Sequence, residues 1–214
     1  MEDTSSYKNP TSSETLDEKI EKAERQIVRT KNKYEEYAIA LEEVYEKVKK
    51  VDPKIIPLLG GLIETMESIP NRDIELKGYI LSNIITYINT KVIFGESYLK
   101  EVNIQNLRKG IEILTNEKGL RKMNELYSLA LDGKIPLRNF DEYLEEVCDW
   151  AYRNRLTLDQ ETERRYARQK GAYNYLRVII KGLLINPTKY EPLYKQFIET
   201  DNLGEFVLNL PEYI

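Results

Sequence analysis

From Thr15 to Val51 the chain contains no glycine or proline, and its apolar residues recur at alternating steps of four and three. Leu16, Ile20, Ala23, Ile27, Thr30, Tyr34, Tyr37, Leu41, Val44, Val48 and Val51 form this seam. Such spacing predicts a long helix with a single packing stripe. At about 1.5 Å per residue the helix would reach roughly 54 Å, whereas the rest of the chain would fold into a body roughly 40 Å across. From Leu16 to Thr30 the stripe is narrow, flanked by Asp17, Lys19, Glu24, Gln26 and Lys31. After Tyr34 it broadens, because Ala38, Ala40 and Tyr45 join it. A broad stripe suits docking on a core and a narrow one suits a single partner helix. The expectation is that the second half docks on its own body. The first half would project and pair with a second copy or a partner helix, with Leu16, Ile20, Ala23 and Ile27 at the interface. The alternative is one long helix lying inside an ordinary bundle.

The remaining pattern is helical throughout. Residues 54–69 read as a short, kinked, buried helix with Pro57 near its start and Gly60-Gly61 permitting close packing. Residues 73–94 form the most apolar segment, with Ile74, Ile80, Leu81, Ile84, Ile85, Ile88 and Val92 around it, and are expected at the centre of the core. Helices follow over 96–115 and 117–131, and Asp132-Gly133-Lys134-Ile135-Pro136 is a strong stop. Residues 139–155 are amphipathic, with Phe140, Tyr143, Leu144, Val147, Trp150 and Ala151 on one side. Thr157 with Gln160 reads as a capping box for a helix reaching Ile185. Asn186-Pro187 would stop that helix, leaving two short ones near 191–199 and 203–209. At the other end, Thr15 or Ser13 can cap the first helix, and the polar stretch 1–14 reads as a disordered tail. The class is all-α: tail, long helix over 15–52, and a multi-helix body over 53–214.

Composition narrows the chemistry. Hydrophobic residues make up 41% of the 214, enough for a real core, and the net charge is -4, which argues against a globally cationic coat for nucleic acid. Histidine is absent, which removes the commonest general base, the commonest metal ligand and every nucleophile that depends on an imidazole. The lone Cys148 has no disulfide partner within the chain. Among acids its thiol would be poorly reactive, and it reads as a small buried side chain. No apolar run follows Met1, and the patch from Ile55 to Ile63 is too short to span a bilayer. The expectation is a cytoplasmic protein with no membrane association. Abundant Lys, Glu, Ile and Tyr resemble hyperthermophile usage and fit an archaeal or archaeal-virus source.

Two charged stretches are candidate sites. Between Trp150 and Gly182, eight cations against three carboxylates leave a local +5, with tyrosines interleaved. Arg164, Arg165, Arg168, Lys170, Arg177 and Lys181 are the candidate nucleic-acid contacts, since such groups neutralise phosphates while Tyr stacks on bases. Projected on a helix, however, Arg164 and Arg168 fall on one flank, and Lys170, Arg177 and Lys181 on the other. The second stretch is acidic. Glu142, Glu146 and Asp149 share a helical face that could hold Mg²⁺, and Glu42, Glu43 and Glu46 form another cluster. The E-x-x-D of Glu146 and Asp149 and the E-E-x-x-E of Glu42, Glu43 and Glu46 resemble the motif pair of all-α nucleotide pyrophosphatases of the MazG and dimeric dUTPase type. That resemblance implies metal-dependent hydrolysis of a nucleoside triphosphate. Here the motifs lie much farther apart than in that pattern. No catalytic residue, metal ligand or cofactor is assigned. The leading reading is a non-enzymatic protein that works by association, with a homo-oligomer as the expected state and nucleic-acid binding as the alternative.

Overall fold

The computed structural model describes residues 14–69, 74–93 and 101–212. The tail expected over 1–14, apart from Glu14, lies outside them, as do the expected break at Pro70-Asn71 and the expected helix start at Glu96. Among the described residues there are ten α-helices and no strand: α1 Leu16–Lys33, α2 Ala38–Val51, α3 Ile55–Ser68, α4 Ile74–Ile93, α5 Glu101–Leu114, α6 Glu117–Leu131, α7 Phe140–Arg153, α8 Gln160–Ile185, α9 Pro187–Glu199 and α10 Leu203–Leu208. The all-α class is as the periodicity predicts.

The long N-terminal helix is not continuous. It breaks at Tyr34, whose backbone leaves the helical region at φ -118°, ψ 69°, and a short 3-10 turn over Glu35–Tyr37 leads into α2. No glycine or proline marks this break. A straight helix drifts by about 20° per heptad against a 3.5-residue seam, so one rod could not keep the whole stripe on its own body. Breaking at Tyr34 resets the register. The Tyr34 ring is buried, and its hydroxyl donates to Glu67 Oε1 at 2.5 Å. Lys33 pairs with the same carboxylate, and Lys77 Nζ donates to the Glu67 carbonyl at 3.2 Å.

The projecting first half is also corrected. α1 lies along α3. Ala23 and Ile27 are 4% and 2% exposed, and both belong to the main core. Gly60 allows this approach: a Cβ there would sit 2.4 Å from Ala23 Cβ, so no larger residue fits unless α1 moves. Gly61, one residue on, faces open space and serves no such contact. At its start α1 is capped by Thr15, whose N–H donates to Glu18 Oε2 at 2.7 Å while its hydroxyl accepts from Glu18 N. The N-terminal helices are therefore part of the same core as the body, not an appendage to it.

The hub is α8 rather than α4, which packs mainly on α2, α3 and α8. α8 packs against α4, α5, α6, α7 and α9. Its cap differs from the expected one: the Asp159 carboxylate accepts from Thr162 N at 2.7 Å, and Thr157 lies in the preceding loop. A carboxylate at this position also faces the positive end of the helix dipole. Pro187 does not merely stop α8. It occupies the first turn of α9, where its missing N–H costs nothing, and Asn186 caps that helix through Lys189 N at 3.1 Å. Arg138 ties the C-terminal end to the α6–α7 loop by donating to the carbonyls of Leu208 and Leu210.

Candidate interaction surface

α8 has two unlike halves. From Gly171 to Leu184 most residues are buried, whereas from Gln160 to Lys170 only Ala167 is. The outer half is paired with α7, whose one substantial neighbour among the described helices is α8. Val147 and Ala151 of α7 and Ala167 of α8 bury against this seam, yet none of them joins the main core, which draws on every other helix. α7 and the outer half of α8 thus make a hairpin with a small seam of its own. Small residues on α8, including Ala167 and Gly171, leave room for larger side chains opposite; a Cβ on Gly171 would press on Leu137 at 3.0 Å.

The hairpin's free end carries a concentration of exposed apolar surface. Of the ten large hydrophobic residues exposed among the described residues, four lie here: Trp150, Tyr152, Leu156 and Tyr166. Trp150 is 49% exposed and Tyr152 85% exposed. Trp150 meets Tyr166 edge-on, with ring centroids 6.4 Å apart and planes at 89°, a favoured aromatic geometry. Beside them a cleft of about 290 Å³ is lined by Val147, Trp150, Tyr166, Gln169, Glu146 and Lys170. Arg155, at φ 55° in the turn, and Arg164 and Arg165 at the start of α8 make no ion pair among the described residues.

The six candidate nucleic-acid contacts do not converge. Arg164 and Arg165 are exposed at the hairpin end. Arg168 is half-buried and donates to the Leu131 carbonyl and to Glu161 Oε1, each at 3.4 Å. Lys170 pairs with Glu146 of α7. Arg177 and Lys181 open onto α4, on another side of the molecule. This agrees with the helical projection, which separates the two flanks.

The acidic clusters are also dispersed. Glu146 is held by Lys170 and Asp149 by Arg153 at 3.5 Å, while Glu42 pairs with Lys31 and Glu43 with Lys47. α2 packs on α1, α3 and α4, and α7 on α8, so the two motifs that resemble a pyrophosphatase pair occupy separate parts of the fold. No group of three or more metal-binding side chains occurs among the described residues. Cys148 is exposed, not buried as its composition suggests. Local desolvation and the Glu163 and Asp149 carboxylates push its thiol above the ordinary value.

The residues expected at an N-terminal interface are mostly turned inward. Ala23 and Ile27 are covered by the chain itself, Ile20 is half-buried against the core, and Leu16 alone is exposed. The hairpin end was missed because Trp150 follows the same helical stripe as Val147 and Ala151. The signal that could have found it is that Tyr166 is the one large apolar residue between Gln160 and Lys170: a partner helix with a single such position leaves a tryptophan partly uncovered. No helix among the described residues is long and apolar enough to cross a membrane. Comparison of the chain with protein-family models, curated proteins and solved structures finds no match.

Proposed function

We propose that the chain is a non-enzymatic helical protein that works by self-association, through the free end of the α7–α8 hairpin. The observation that carries this reading is the cluster of Trp150, Tyr152, Leu156 and Tyr166 at the end of the fold where α7 and the outer half of α8 contribute nothing to the main core. Aromatic residues and arginine are the types enriched at interface cores and hot spots. Between Asp149 and Tyr166 there are as many carboxylates as guanidinium groups, and a balanced surface of this kind favours a second protein surface over a polyphosphate. Association through Leu16, Ile20, Ala23 and Ile27 would instead require α1 to leave α3.

Sedimentation velocity of the full chain at rising concentration tests the reading. A dimer is expected, and Tyr152→Asp together with Trp150→Ala is expected to leave a folded monomer. A wild-type chain that stays monomeric at high concentration contradicts it, as does a dimer unchanged by the two substitutions.

Nucleic-acid binding is the second reading, favoured by Arg155, Arg164 and Arg165, which have no ion pair among the described residues and lie next to exposed aromatic rings. It predicts a gel shift at low salt that weakens as salt rises and disappears in Arg164→Gln/Arg165→Gln. Unchanged mobility of both DNA and RNA probes at low salt removes it.

A further inference from the structure

A second cleft, of about 610 Å³, runs between α4 and α8, away from the hairpin end. Its volume lies within the range of small-molecule sites. Ser82, Asn83 and Tyr87 line it from α4, and Arg177, Lys181 and Ile185 from α8. No Asp or Glu is among the described residues that line it, although the chain has 36 of them and is negative overall.

Arg177 is exposed and makes no ion pair among the described residues. Its neighbours along α8 are treated differently: Arg168 meets Glu161 and Lys170 meets Glu146. Lys181 stands four residues after Arg177 and opens onto the same cleft. Like charges at this helical spacing repel, and an anion seated between them would relieve that repulsion. Lys181 also interacts within the chain, so Arg177 is the principal hydrogen-bond donor to the anion. Opposite, Asn83 spends its amide nitrogen on the Tyr79 carbonyl at 2.9 Å, which leaves its side-chain oxygen as an acceptor. The Tyr87 phenol, which also interacts within the chain, is pushed up to about 12 by burial, so it stays neutral and adds no negative charge to the cleft.

We propose that the α4–α8 cleft is a binding site for a small organic phosphate of mononucleotide size. The phosphate would sit on Arg177 and Lys181, where a guanidinium gives charge-assisted, bidentate hydrogen bonds. The organic portion would lie along Tyr87 and Ile185, and Asn83 would accept from its amino or hydroxyl groups.

Calorimetric titration of the full chain with the four ribonucleoside monophosphates tests this, with uncharged nucleosides and inorganic phosphate as comparison probes. At least one nucleotide is expected to bind saturably, about tenfold or more tighter than its nucleoside and than phosphate alone. Arg177→Gln is expected to weaken that binding about tenfold or more. Ser82→Asp, which sets a carboxylate on the opposite wall, is expected to do the same. Arg121→Gln on the surface of α6, where the arginine pairs with Glu117, is expected to change nothing, and circular dichroism confirms that each variant is folded. Absence of saturable binding by all four nucleotides overturns the proposal. So does equal binding of inorganic phosphate, or binding that survives Arg177→Gln.

Discussion

α1 and the outer half of α8 are both amphipathic helical segments with a narrow apolar stripe, yet one is seated and the other stands clear. α1 buries Ala23, Ile27 and Thr30 against its own chain, with Gly60 of α3 opening the space it needs. The outer half of α8 buries Ala167 in a small seam with α7 and reaches the rest of the fold through polar contacts, Gln169 donating to Glu75 and Tyr127 and Arg168 to the Leu131 carbonyl. The difference lies in what the opposite surface offers. α3 presents Gly60 to Ala23, and its Leu59 and Ile63 belong to the same main core as Ala23 and Ile27. α7 presents a stripe that ends in Trp150, which α8 meets only edge-on through Tyr166 and leaves 49% exposed. Stripe width on one helix therefore does not decide whether that helix projects; the partner's residues do.

The largest expected effect comes from unseating α1. Ile27→Ala should lower stability by about 2–5 kcal/mol, read as a fall in the urea midpoint, whereas Tyr152→Ala at the hairpin end should stay within about 0.5 kcal/mol of wild type. Equal losses at both positions would erase the contrast. Gly60→Ala sharpens it further. Its methyl meets Ala23 Cβ and Cα rather than a flexible side chain, so a loss of about 1–3 kcal/mol is expected, while Gly61→Ala, facing open space, should show no comparable loss.

A smaller effect is expected at the break between α1 and α2. Burial pushes the Glu67 carboxyl up, but Lys33, the Tyr34 hydroxyl and Lys77 outweigh it, and its value falls below the ordinary 4.5. A depressed carboxyl contributes stability that is fully present above its unfolded value and lost as pH falls through the folded one. Urea midpoints should therefore drop as pH falls below about 4.5, and Glu67→Gln should flatten that part of the profile. A profile unchanged by Glu67→Gln would show that the tyrosine and lysine contacts do not act through this carboxylate.

Hydrogen exchange should resolve the two halves of α8 with no substitution at all. Amides from Tyr173 to Leu184 should exchange only on global unfolding, and those from Thr162 to Lys170 through a lower-energy local opening. Uniform protection along the helix would mean that the hairpin is as firmly held as the core.

Much of this fold is legible from periodicity. Seven positions of the N-terminal seam bury, Ala23, Ile27, Thr30, Tyr34, Leu41, Val44 and Val48, while Leu16 and Val51 at its ends stay exposed, and the helix boundaries of α3, α4, α6 and α7 fall close to the predicted ones. What periodicity could not supply is the break at Tyr34, which depends on a carboxylate from α3, a contact far away in sequence. Nor could it supply the partner of each stripe. A length mismatch between one helix and its body is an inference about α1 alone, and it lapses once that helix is divided. The exposed tryptophan was hidden for a similar reason: Trp150 keeps the spacing of a core residue, and only the residues of α8 opposite it reveal that it is half uncovered. The scatter of the basic residues, by contrast, was visible in a simple helical projection, because α8 is a single uninterrupted helix.

Trp150 is the only tryptophan in the chain, so its emission reports on the hairpin end without any label. Fluorescence recorded as the full chain is concentrated tests self-association there most directly. A blue shift with rising concentration, lost in Tyr152→Asp, is the expected result. An emission maximum that stays in place from dilute to concentrated solution, with Trp150 open to quenching by iodide throughout, would contradict it.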